Sequence, residues 1–79
     1  MIYTPADLMK FFEVSKETIR LWSIEFAQYL SPSASPLEKG KHRLYTEEDL
    51  RIFPLIAEMK SRGVTFEEIH LALANGQRG

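Results

Sequence analysis

Three side chains in the run Ser15-Lys16-Glu17-Thr18-Ile19-Arg20 could do chemistry together. Lys16 and Arg20 stand one helical turn apart, so on a helix they share a face, and Glu17 lies on the same side. Lysine is a point charge suited to phosphate. Arginine presents a planar fork of donors that matches a phosphate or the O6 and N7 edge of guanine. Glu17 allows two uses: accepting from cytosine N4, or favouring the positive end of a helix dipole. A second basic run, Lys39 to Arg43, carries Lys41, His42 and Arg43. It suits phosphate or a minor groove.

Other chemistries find little support. There is no cysteine, which excludes disulfides and thiolate metal sites. His42 and His70 fall on different elements with no converging ligands, so no metal site is expected. Serine, histidine and aspartate are all present, but no spacing pairs a nucleophile with its base. The four glycines, at 40, 63, 76 and 79, are scattered and form no phosphate-cradling loop. The expectation is a protein that is not an enzyme and needs no cofactor.

These side chains need elements to hold them, and caps mark where the elements begin. Thr4-Pro5-Ala6-Asp7 opens a first helix, with a capping residue, a proline suited to the first position and an acid for the dipole. Leu8, Phe11 and Phe12 follow at helical spacing, though Phe11 and Phe12 cannot both face inward. Glu13-Val14-Ser15 breaks the segment, and Ser15 caps a second helix expected to run to about Gln28 or Tyr29. Its apolar residues are Ile19, Trp22, Ile24 and Phe26, with Trp22 expected in the core. Leu30 to Gly40 is rich in serine and proline and is not helical. His42 to Thr46 alternates and reads as a short strand returning from a turn at Gly40. Thr46 caps a third helix with acids in its first turn, and Arg62-Gly63 ends it. Pro54 lies inside that helix, where a bend near Arg51 is expected. Thr65 and Glu68 form a capping box for a fourth, carrying Ile69, Leu71, Leu73 and Ala74, and Asn75-Gly76 stops it.

The order is helix, turn, helix, wing, helix, helix. The fold class expected is mainly α, a winged helix-turn-helix with a small two-stranded wing and two further helices. The expected boundaries are about 4–29 for the helix-turn-helix, 30–45 for the wing and 46–75 for the helix pair. All lie in one domain spanning 1–79. At 79 residues with 44% hydrophobic content, the chain suits one small core. In such a motif the second helix enters the major groove of double-stranded DNA with its N-terminal half leading.

Charge distribution fits that reading better than the total does. The formal net charge is −1. Residues 16–43 carry five basic against three acidic side chains, a net of +2, whereas residues 44–79 carry four against six, a net of −2. One face can meet phosphates while another faces away. No apolar run approaches the roughly 20 residues that span a bilayer, and the N-terminus has no signal-peptide pattern. A cytoplasmic protein with no membrane partner is expected.

Several segments taken in order resemble the DNA-binding domain of MerR-type transcription regulators. They are Tyr3-Thr4, Val14 to Arg20, Leu30-Ser31-Pro32, Arg43 to Leu50, and Arg62 to Ile69. The resemblance implies a winged helix-turn-helix followed by a helix pair. It also implies DNA contacts at Lys16, Glu17, Thr18 and Arg20 and wing contacts at His42 and Arg43; Ser15 and Lys41 are expected to belong to the same DNA-binding set. Tyr45 falls on the family's structural wing tyrosine, and Leu21 and Trp22 on its paired aromatics. The chain departs from the pattern in four places. Glu13 stands where a turn glycine is usual. Leu21 replaces an aromatic that can reach phosphate. Ser35 to Glu38 lengthen the wing, and His42 stands where a tyrosine is common. The family continues into a long dimerising helix, so a longer native protein is expected to be a homodimer and these 79 residues a monomer on one half-site. Two other readings stay open: a DNA-architectural factor of excisionase type, and a protein-interaction module.

Overall fold

Threonine or serine caps start every α-helix among the described residues. The computed structural model describes residues 1–35 and 42–79. Thr4 caps α1 (Pro5–Phe12) in a reciprocal box with Asp7. Ser15 caps α2 (Lys16–Glu25) by accepting from the Thr18 amide. Thr46 caps α3 (Glu47–Ser61) in a second reciprocal box, with Asp49. Thr65 caps α4 (Phe66–Ala74) through the Glu68 amide. The expected box there is half formed: the Glu68 carboxylate accepts the Thr65 hydroxyl hydrogen rather than its backbone N–H. Each such cap satisfies amides that have no partner inside the helix and contributes about 1 kcal/mol.

The helical part of the expected fold class is present. The two-stranded wing is not among the described residues. Pro32–Ala34 is a 3-10 turn, and the segment at 42–45 pairs with the chain's start. Tyr3 and Tyr45 exchange two backbone hydrogen bonds of 2.8 Å as one antiparallel bridge. The Leu44 amide donates to the Ser33 carbonyl at 2.9 Å. Pro32 has no amide for a ladder, which favours the turn over a strand. The expected turn at Gly40 lies outside the described residues, as does Lys41.

Two helices differ in detail from the reading of their apolar residues. α2 ends at Glu25, short of Gln28, because Phe26 leaves helical dihedrals and a 3-10 turn, Ala27–Tyr29, follows. That change seats Phe26 fully buried, with its ring edge-on to Phe66 at 5.5 Å. The inward stripe of α2 is Ile19, Trp22, Ser23 and Phe26, at i, i+3, i+4 and i+7. Ile24 is half exposed, while Ser23 is buried on the stripe. On α4, Ile69, Ala72 and Leu73 face inward while Leu71 is exposed. Helix α3 runs through Pro54 to Ser61, next to the stop expected at Arg62-Gly63.

Phe53 on α3 is the centre of the core. Phe12 stacks on it at 5.9 Å, Tyr45 meets it edge-on at 5.5 Å, and Trp22 lies at 6.5 Å. One aromatic thus joins α1, α2 and the segment before α3. Trp22 is buried as expected, and of the Phe11–Phe12 pair Phe11 is the exposed one. Fixing these elements about Phe53 holds the outer face of α2 beside the start of α1 and residues 42–43.

Candidate nucleic-acid interface

The tight connection between α1 and α2 aims the outer face of α2. Glu13 makes the reversal with φ 53° and ψ 47°, in the left-handed region that favours glycine. The chain therefore keeps the turn geometry at a position where its residue type disfavours it. Ser15 then starts α2 so that Lys16, Glu17 and Arg20 point outward and are exposed, while Ile19 and Trp22 point into the core.

An open groove of 740 Å³ runs along this face. Lys16, Glu17 and Arg20 line it from α2, and His42 and Arg43 line it from the segment that precedes Tyr45. Thr4, Pro5, Ala6 and Met9 supply the α1 side, with Ile19 between. Five of the residues expected from sequence to act together therefore share one concave surface. Ser15 and Thr18 are not on its lining. Their hydroxyls bond each other at 2.9 Å, and Ser15 also caps α2, so both are engaged in starting the helix. Lys41 lies outside the described residues.

The groove's charged groups are held in different ways. Arg20 donates to Glu17 through Nε, at 3.1 Å to Oε1, and through Nη2, at 2.6 Å to Oε1. The hydrogen bond and charge of Arg20 hold the Glu17 carboxyl below its ordinary pKa, and Glu17 raises that of Arg20 in return. Arg43 is half-buried, and its Nη1 donates to the Ala34 carbonyl at 2.7 Å and to Ser35 Oγ at 3.2 Å. It braces the serine-rich loop as well as lining the groove. His42 is exposed.

Behind the groove, three sets of polar contacts tie the elements to one another. Ser23 Oγ donates to the Ile19 carbonyl at 2.7 Å and lies 2.6 Å from the Tyr45 hydroxyl. Asp49, buried at the start of α3, accepts from the Ser31 amide at 2.8 Å and the Ser31 hydroxyl at 2.6 Å. His70 Nε2 and Glu25 Oε2 are 2.8 Å apart and join α4 to the end of α2. None of these was read from sequence, although a serine at position 23 on an otherwise apolar stripe is a legible signal.

Over residues 3–76 the chain matches the family described as MerR HTH family regulatory protein. It belongs to that family. No curated protein and no solved structure matched it. The match covers α1 to α4 and the groove, so this MerR-family chain carries its helix-turn-helix regulatory unit with the turn at Glu13. No helix among the described residues is long and apolar enough to cross a membrane.

Proposed function

We propose that the chain binds double-stranded DNA in a sequence-specific manner, as the DNA-binding domain of a cytoplasmic MerR-type transcription regulator. In this reading α2 enters the major groove with its N-terminal half leading. Lys16 meets a phosphate, Arg20 meets a base edge, and His42 and Arg43 lie against the backbone beside it. The observation that carries the reading is the groove itself: it gathers Lys16, Glu17 and Arg20 with His42 and Arg43, which lie more than twenty residues further along the chain. Ser15 and Thr18 serve the same proposed surface by setting the start of α2, and Lys41, outside the described residues, is proposed as a DNA contact from its place in the basic run of the sequence.

The test is titration of the chain against a fluorescent duplex pool of randomised sequence at several salt concentrations. About three to five phosphate contacts should give a log–log slope of roughly −3 to −4. Affinity that does not change between low and moderate salt would overturn the proposal. Arg43→Ala should weaken binding to all sequences alike. Because Arg43 also braces Ala34 and Ser35, a melting curve of that variant separates lost contact from lost order.

A further inference from the structure

Arg20 meets Glu17 side-on, and this decides which of its hydrogens can reach a ligand. Guanidinium carries five N–H groups: one on Nε and two on each Nη. Glu17 takes the Nε hydrogen and one Nη2 hydrogen, with Nε to its two oxygens at 3.1 and 3.3 Å and Nη2 to Oε1 at 2.6 Å. Three hydrogens remain, two on Nη1 and one on Nη2. The edge between Nη1 and Nη2 offers two parallel donors, the pattern that guanine O6 and N7 accept. Both side chains stand in the open, 53% and 72% exposed, and among the described residues the pair itself is what orients the fork.

The pair is also electrically neutral. Counterion release counts cations that neutralise phosphates, and a cation already matched by a carboxylate contributes little to it. A neutral unit with one free donor edge suits base reading, whereas a lone cation suits phosphate. Resting on the DNA-binding reading above, we propose that Glu17 is a positioning residue: it aims the free edge of Arg20 at one guanine, and the pair supplies sequence preference rather than salt-dependent affinity. Glu17 does not itself read cytosine.

The experiment uses the full chain and four variants, Arg20→Ala, Glu17→Gln, Glu17→Asp and Lys16→Ala. Base preference is read by selection from a randomised duplex pool, and the salt slope on one mixed-sequence duplex. Melting curves check that each variant folds. Arg20→Ala should lose a guanine preference of about ten-fold at one position and leave the slope unchanged. Lys16→Ala should make the slope shallower by about 0.9. Glu17→Gln should flatten the same guanine preference and steepen the slope by about 0.9, because the released Arg20 becomes a phosphate contact. Glu17→Asp keeps the charge on a shorter arm, so it should keep the slope and weaken the preference.

An Arg20→Ala variant with a shallower slope and an unchanged preference would make Arg20 a phosphate contact and overturn the proposal. So would a Glu17→Gln variant whose altered preference falls on a cytosine with the guanine position intact. If the unsubstituted chain binds with no salt dependence, the DNA reading itself fails and this inference falls with it.

Discussion

The hydroxyl of Tyr45 donates to that of Ser23 across 22 positions of sequence, with 2.6 Å between the oxygens. The direction follows from hydrogen counting. Ser23 has one hydroxyl hydrogen and gives it to the Ile19 carbonyl, so the hydrogen between the two side chains is that of Tyr45. Both residues are buried. The bond fastens the segment carrying His42 and Arg43 to the inner face of α2, so it links two of the elements that line the groove.

Tyr45→Phe should therefore lower stability by about 1 kcal/mol, the usual net worth of such a bond, and Ser23 would keep its bond to Ile19. The substitution also changes the response to alkali. Burial raises the Tyr45 pKa above its ordinary 10.0, with the Asp49 charge adding to it and the Arg43 charge offsetting part of it. A group whose folded pKa is raised contributes stability that is fully present below the unfolded pKa and lost as pH rises through the folded one. The native chain should thus lose stability above about pH 10, and Tyr45→Phe should lose less over the same range. Thermal melts of both proteins from about pH 8 to about pH 11 check both statements. Parallel curves would exclude the link.

Asp49→Asn should be more damaging. The carboxylate accepts from the Ser31 amide, the Ser31 hydroxyl and the Thr46 amide, at 2.8, 2.6 and 2.9 Å. Asparagine must turn its NH2 towards at least one of these donors. The expected loss is about 2–4 kcal/mol, since hydrogen bonds to a buried charged group are worth more than neutral ones. Chemical denaturation measures it, and a midpoint within error of the native chain would refute it.

Much of this architecture is legible in the sequence, and what is not has identifiable causes. The caps at Thr4, Ser15, Thr46 and Thr65 are local signals, and each starts a helix where its spacing says it should. Lys16, Glu17 and Arg20 share a face by periodicity alone. The partner of Tyr45 is different. Alternation from His42 to Thr46 indicates an extended chain, yet nothing local tells that its mate is Tyr3 at the other end of the sequence. Ile24 and Leu71 are apolar yet exposed, and composition alone does not say which apolar residues of a helix face inward. Counting hydrophobic residues cannot tell that Ser23 and Ala72 are the inward positions, because a buried serine is acceptable only once Ile19 and Tyr45 satisfy it. Asp49 is visible as a first-turn acid, but its bonds to Ser31 depend on where the loop returns.

Glu13→Gly tests the turn. Glu13 has φ 53°, which costs a non-glycine residue roughly 1–2 kcal/mol, while glycine gives back part of that as chain entropy when unfolded. The substitution should stabilise the domain by about 0.5–1 kcal/mol, and Glu13→Ala should not. Raised melting temperature in the glycine variant alone is the expected pattern. Equal melting of the two variants would show that the glutamate side chain contributes something of its own.

Leu21→Tyr should strengthen DNA binding without changing its salt dependence. Leu21 is 47% exposed and follows Arg20 on α2, where the resemblance to the family implies an aromatic able to reach phosphate. A phenol hydroxyl is a neutral donor. It can add a hydrogen bond to a phosphate oxygen without neutralising a charge, so affinity should rise while counterion release stays the same. At a surface position a net gain of about 1 kcal/mol is reasonable, which is roughly five-fold in affinity. Leu21→Phe supplies the ring without the hydroxyl and should give little of that gain. Anisotropy titrations of the three proteins on one duplex, at two salt concentrations, separate the possibilities. Equal gains for tyrosine and phenylalanine would mean that ring contact, not a phosphate bond, is what α2 lacks at this position. A gain that vanishes at the higher salt would mean that the hydroxyl acts by re-aiming Arg20 or Lys16 towards phosphate.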